Sequence, residues 1–344
     1  MTHKQRFFAT IARKPVDKPA SWLGLPASDA LPGLFAHFKV GSVYDLKEKL
    51  GDDVHAIEVP YESPAGNHIA CAFDFRKKSQ KQNYDERTLT APGFFEDFSD
   101  PERVNEFNWP DPEKYLQRKK SRDLVNEISS DYAKMGIMWS ANFQDACAAF
   151  GMESALMKML AEPDMFLAVL HKITEFYLRA NEIFYEATKG ELDAVLLGND
   201  FGSQTGLMVD PELLRQLVFP SVKMLIQQAK SYNLKVVYHS CGSIFPVITD
   251  LIEMGVDVVH PIQALAKDME PAKLKDNFGD KVAFCGGVDA QELLVNGKPE
   301  EVAKKIQQLK ELFPTGLVIS PSHEAILPDI PPVNVEAIFN NLKL

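Results

Sequence analysis

From residue 136 onward, short apolar runs alternate with longer segments whose apolar positions recur every three or four residues. The runs Gly136–Asn142, Asp193–Asn199, Lys235–His239, Asp257–Ile262, Val282–Cys285 and Leu317–Ser320 read as strands. The segments between them carry helix start signals. Pro163-Asp164 opens a helix whose inward face is Phe166, Leu170, Ile173, Phe176, Ala180 and Ile183, with Gly190 to end it. Asp210-Pro211-Glu212 opens the next, with Asp210 as cap and proline at the first helical position. Pro220 falls inside that segment and is expected to kink or divide it. Ser243 is expected to cap a helix that stops at Gly255, and Pro271, Pro299 and Pro332 each open a later one.

Strands alternating with helices at this spacing mean βαβ units and a parallel sheet. Two earlier runs, Ala20–Leu25 and Val54–Val59, bring the strands to eight. The expected fold class is therefore α/β, a (β/α)8 TIM barrel, with residues 1–344 forming a single catalytic domain. An open doubly wound sheet is the weaker alternative, because no G-x-G-x-x-G or Walker motif follows any strand. Residues 61–122 break the rhythm. They are polar and rich in loop residues, and they read as an excursion after the second strand: a lid, a dimer contact or solvated surface.

Charge narrows the partners. The net charge is −11 and the pI about 5.3, so nucleic acid and anionic membrane surfaces would be repelled. The one tight basic cluster, Arg76-Lys77-Lys78, is short. No stretch reaches 18 apolar residues, and the N-terminus has no apolar core of a signal peptide, so a cytoplasmic protein is expected. Four cysteines, Cys71, Cys147, Cys241 and Cys285, make no disulfide framework in a chain this long. They are core thiols, nucleophiles or metal ligands.

A barrel keeps its active site at the C-terminal ends of its strands. The residues expected there are Trp22 on the first strand, Asn142 and Phe143 on the third, Asp200 and Gln204 on the fourth, His239 and Cys241 on the fifth, Gln263 on the sixth, Cys285 on the seventh and His323 after the eighth. His239-Ser240-Cys241 carries the sharpest signal. Residues i and i+2 leaving a strand point the same way, so an imidazole and a thiolate share one side, half of a tetrahedral Zn2+ site. Cys285 or His323 would supply a third ligand, and three protein ligands with one open position define a catalytic zinc. Sulfur ligation favours zinc over Mg2+ or Ca2+. Asp200 is a candidate general acid/base or hydrogen-bond acceptor, and His260 is expected to satisfy a barrel-interior hydrogen bond. Cys71 and Cys147 read as core.

The opening RFFATIARKPVDKPASW, the segment Gly286-Gly287-Val288-Asp289 and the closing PSHEAILPDIPPVNVEAI resemble the uroporphyrinogen decarboxylase superfamily. The resemblance covers nearly the whole chain and implies the barrel. It also implies one of two chemistries. The decarboxylases hold an octacarboxylate porphyrinogen with arginines after the first strand and an aspartate after the second. Here Trp22-Leu23-Gly24-Leu25 and Glu58-Val59-Pro60-Tyr61 stand in those places, and the chain has nine arginines, none at an expected strand end. The other branch, similar to methylcobalamin:coenzyme M methyltransferase, carries His-x-Cys on the fifth strand and a cysteine after the eighth. His239 and Cys241 match the pair, while His323 stands where the second cysteine is expected. This branch implies Zn2+, a cobalamin (corrinoid) methyl carrier on a separate carrier protein, and a small methyl donor or thiol acceptor; the superfamily resemblance implies a homodimer. Asp200, Gln204, Asn142 and Gln263 would then orient substrate, with Trp22 and Phe143 as apolar walls and His323 as a catalytic residue. The remaining alternatives are a porphyrinogen decarboxylase with rearranged contacts, a non-catalytic tetrapyrrole-binding relative, and a metal-dependent lyase or hydrolase.

Overall fold

Runs rich in Val, Ile, Leu and Met, apolar on both faces, form strands that only a sheet covered on both sides can bury. The computed structural model describes residues 1–77 and 89–342; residues 78–88, which include Lys78 and part of the expected excursion, lie outside the described residues. The strands are β1 (Leu25–Pro26), β2 (Val54–Glu58), β3 (Ala133–Trp139), β4 (Ala194–Gly198), β5 (Lys235–His239), β6 (Val258–Ile262), β7 (Ala283–Val288), β8 (Leu317–Pro321) and β9 (Ala325–Ile326). β2 through β8 pair in parallel, in chain order, as one seven-stranded sheet. Segment 20–22 closes it into the expected barrel. Ile319 N–H donates to Ala20 O at 2.8 Å and Trp22 N–H to Ile319 O at 3.1 Å, while Asp53 N–H reaches Ser21 O at 3.3 Å. β1 and β9 pair with each other, parallel, where the chain leaves segment 20–22 and β8.

The helices follow the sequence signals, except at Ser243. Pro163–Ala187 forms one long helix, and Asp210 Oδ1 accepts the Glu212 N–H at 2.8 Å as an N-cap. Ahead of Pro220 the chain makes a π-helical turn, Leu214–Val218, before the helix Phe219–Ser231. Proline cannot donate the next helical hydrogen bond, so the expected division appears as this widened turn. Ser243, expected as a cap, is not one. The helix Ile248–Met254 starts five residues later, and Ser243 N–H instead donates to Ser203 O at 2.7 Å. β3 is also displaced from its expected range. Trp139 and Ser140 both take φ of 54°, which turns the chain out of the sheet, so that Asn142 opens a helix, Asn142–Phe150, rather than ending a strand.

The described part of the excursion is packed by an aromatic cluster rather than being loose surface. Phe73, Phe75, Phe94, Phe95, Phe107 and Trp109 pack ring on ring, and Phe73 continues the cluster onto Phe176 and Tyr177 of the long helix. Such clusters bury large apolar area, and that pins the segment to the barrel's outer layer. Inside the barrel, Phe7 from the N-terminal helix His3–Ile11 meets Trp22, Val54, Met135, Val237, Val258, Cys285 and Val318 in an apolar layer.

Candidate metal centre

β5 delivers two side chains to the barrel mouth. His239 ends the strand, Ser240 turns the opposite way and accepts the Phe201 N–H at 3.0 Å, and Cys241 returns to the side of His239. The alternation brings Cys241 Sγ to 3.4 Å from His239 Nε2. Asp200, just past β4, adds a carboxylate. Its Oδ1 lies 3.3 Å from the same Nε2 and accepts the Cys241 N–H at 2.8 Å. Its Oδ2 accepts from Gln144 Nε2 at 3.0 Å.

Two loops are held in contact to achieve this. Gly242 has φ +83°, and a Cβ there would collide with the backbone of Gly202. Gln263, past the end of β6, accepts the Gly242 N–H at 2.7 Å. Asp200 and Gln263 thus fix the backbone on either side of the Cys241 side chain.

The donor atoms Asp200 Oδ1, His239 Nε2 and Cys241 Sγ lie within 4.8 Å of one another. Bonds of about 2.0–2.3 Å around a tetrahedral zinc place ligand atoms roughly 3.3–3.7 Å apart, and the two spacings to Nε2 are 3.3 and 3.4 Å. The chemistry of the set, one imidazole nitrogen, one sulfur and one carboxylate oxygen, also fits zinc. Burial pushes against charge on all three, yet their mutual attraction wins. The half-buried Asp200 carboxyl is held down at about 2 by the His239 imidazole and the Cys241 N–H. The Cys241 thiol, raised by burial, is lowered further by His239 and His323. His239 opposes its own burial and is lifted well above the usual histidine range by Glu324, Cys241 and Asp200. A divalent cation bound there would take the place of the proton on His239 Nε2.

On the other side of the His239 ring, Nδ1 faces His260 Nδ1 at 3.0 Å and Glu324 Oε2 at 3.4 Å. His260 is fully buried and makes the interior contact expected of it. Trp139 stands edge-on to His239, ring centroids 5.4 Å apart. His323 hydrogen-bonds the Cys241 thiol, which raises its own pKa, but it does not join the three donors.

Several expected site residues are elsewhere. Cys285 lies in the apolar barrel layer, where burial pushes its thiol far up, so the expectation that it ligates a metal is corrected. Trp22 belongs to the same layer, 5.1 Å beneath His260, and is no wall of the mouth. Asn142 is fully buried, and its amide is engaged by Thr174, Ser221 and Asn199, a structural network rather than a substrate contact. Phe143 packs in the core against Phe201. Gln204 sits at the exposed tip of a turn closed by Ser203 and Gly206, and its backbone carbonyl accepts from Lys267. Glu324 and Trp139 were missed. Glu324 directly follows His323, and nothing in its spacing along the chain marks it. What would have marked it is the pairing of Leu25 with Ala325, visible only in the fold.

The family model for uroporphyrinogen decarboxylase (URO-D) matches residues 82–343. The chain belongs to the uroporphyrinogen decarboxylase family. As a member of that family it carries the barrel expected from its motifs. Among solved structures it is similar to a methyltransferase from Methanosarcina mazei, with TM-score 0.68 and 18% identity, over 99% of this chain and 98% of that one. No curated protein matches it in sequence. Among the described residues, no helix is long and apolar enough to cross a membrane.

Proposed function

We propose that this family member is a zinc-dependent methyltransferase that moves a methyl group between a corrinoid and a thiol or small methylated substrate. The observation that carries the reading is the trio Asp200 Oδ1, His239 Nε2 and Cys241 Sγ, gathered within 4.8 Å of one another, with both spacings to Nε2 those of two ligands on one tetrahedral ion. The protein with the similar fold, a methyltransferase, supports it. A cytoplasmic setting suits the reading, because a reducing environment keeps Cys241 available as a thiolate.

Asp200, His239 and Cys241 would hold the zinc. Bound there, zinc supplies Lewis acidity, which makes a substrate thiol a thiolate at neutral pH or draws electrons from a methyl donor. The protein's own groups do the rest. Cys241 is fixed through its N–H by Asp200, and its loop by Gln263, so the sulfur needs no reorganisation. His323, with a side chain 46% exposed, is the group at the mouth able to exchange a proton with an incoming thiol. A corrinoid on a separate carrier protein would dock over that mouth.

Decarboxylation of a porphyrinogen has less support. Seven of the eight described arginines are engaged away from the mouth, and Arg13 lies against Gly316. Arg6 binds Asp17 and Asp53; Arg76, Arg103, Arg118, Arg179 and Arg215 pair with surface carboxylates; Arg122 donates to Ala187 O. Among the described residues, an octa-anion would find no guanidinium forks at the site.

The deciding experiment is elemental analysis of the purified protein beside a His239→Ala/Cys241→Ala variant, followed by assay of methylcobalamin with simple thiols. About one zinc per chain, lost in the variant together with demethylation of methylcobalamin, is the expected result. Wild-type protein that binds no zinc, or turnover that survives in the variant, would sink the reading.

A further inference from the structure

His239 presents both ring nitrogens to charged or polar groups, and only one of them can hold an ion. Nε2 faces the sulfur of Cys241 and the carboxylate of Asp200, both half-exposed to the mouth. Nδ1 faces His260, which is fully buried, and Glu324, whose side chain is 12% exposed. His239, His260 and Glu324 also gather three donor atoms within 4.8 Å. That second trio has no sulfur and sits against buried Trp22, closed to an incoming substrate. A catalytic ion needs an open position, so it belongs on the Nε2 side.

A nitrogen that gives its lone pair to a metal cannot keep a proton, so Nδ1 must carry it, and that proton needs an acceptor. Glu324 Oε2 is buried and without a hydrogen-bond partner. The neighbouring His323 cannot supply one through Nδ1, because that atom already accepts the Ala325 N–H at 3.1 Å. His260 Nδ1 is the other candidate acceptor, which leaves its proton on Nε2, itself without a partner. Glu324 is held in place by the mouth ribbon: Leu25 N–H donates to Glu324 O at 2.6 Å, and Gly24, at φ +87°, leaves room for that carbonyl.

We propose that Glu324, assisted by His260, accepts the Nδ1 proton of His239 and so fixes the ring with Nε2 bare toward Cys241 and Asp200, making Glu324 a positioning residue of the metal centre rather than a ligand. The inference rests on the zinc reading above. Carboxylate partners of ligating histidines raise ligand basicity and set ring orientation, and their loss typically weakens metal binding about 10–100-fold.

The test is zinc affinity of the full chain, by competition with a chromophoric chelator, for wild type, Glu324→Gln and Glu324→Ala. Cobalt-substituted spectra are recorded beside it. The expected result is a dissociation constant raised about 10–100-fold in Glu324→Ala and less in Glu324→Gln, whose amide oxygen still accepts. The cobalt-saturated variants should keep the wild-type ligand-field bands and thiolate charge-transfer band, and nitrogen NMR of the zinc form should show His239 bound through Nε2. Affinities within twofold of wild type in both variants would overturn the proposal. So would ligand-field bands that move in the saturated variants, which would make Glu324 a ligand. Wild-type protein that binds no zinc would overturn the zinc reading itself, a different outcome from zinc-binding protein indifferent to Glu324.

Discussion

A residue's place in the chain told less than its place in the pleat. His239 and Cys241 were legible because a strand's period of two puts them together whatever the loops do. Cys285 was equally close to a strand end by sequence, yet β7 runs three residues beyond it, to Val288, and leaves the thiol a layer below the mouth. Strand length at Gly286-Gly287 was the missing information: both glycines take positive φ, and a Cβ on Gly286 would press on the backbone of Ile262. Cys285→Ala should therefore leave zinc stoichiometry and affinity unchanged within twofold. It should cost about 1 kcal/mol of stability, the loss of one methyl-sized buried group. Chelator competition and urea unfolding check the two halves. A zinc affinity that falls tenfold would return Cys285 to the ligand set.

At the scale of elements, helix starts were the most readable feature, because proline and a capping carboxylate act locally. Pro163, Pro211, Pro271, Pro299 and Pro332 all stand in the first turn of a helix. Loop contacts were not readable, because they depend on which strands end side by side. The loops after β4 and β5 touch backbone to backbone at Gly202 and Gly242, and that contact sets the distance from Asp200 to Cys241. Gly242→Ala puts a Cβ into a positive-φ position against the Gly202 backbone, so relief requires the Cys241 loop to move. The expected outcome is a stability loss of about 1–3 kcal/mol with weakened zinc binding. Gly206→Ala, in the same loop as Gly202 but with open space around its Cβ and no positive φ, should stay within about 0.5 kcal/mol of wild type and bind zinc normally. Thermal unfolding and chelator titration of the pair separate a specific loop contact from general glycine loss. Equal behaviour of the two variants would remove the contact from the argument.

For the molecule as a whole, the alternation of strands and helices foretold a barrel, but the way it closes could not be read from the sequence. Gly51-Asp52-Asp53 looks like an ordinary turn before a strand. In the fold its two carboxylates complete the seam. Asp53 Oδ2 accepts the Ser21 N–H at 2.9 Å and Asp52 Oδ2 accepts the Leu23 N–H at 3.0 Å, standing in for a neighbouring strand's carbonyls. Both are fully buried, and each is matched by a cation: Arg6 on Asp53 at 2.5 Å, Lys47 on Asp52 at 2.7 Å. Arg6 comes from the helix under the barrel and reaches Asp17 as well, so one guanidinium ties the floor to the seam. Removing one member of a buried ion pair strands the other, at a cost of about 3–5 kcal/mol. Asp53→Ala should lose that much, since it also orphans the Ser21 amide. Asp17→Ala should lose no more than about 1 kcal/mol, because Asp17 is partly exposed and Arg6 keeps its buried partner. Denaturant unfolding of the two variants reads the difference directly. If Asp53→Ala proved as stable as Asp17→Ala, packing of Trp22 and Phe7 in the interior layer would be enough to close the barrel. A large gap would make the seam carboxylates the element that joins segment 20–22 to both of its neighbours, and with it the stretch that carries Gly24 to the carbonyl of Glu324.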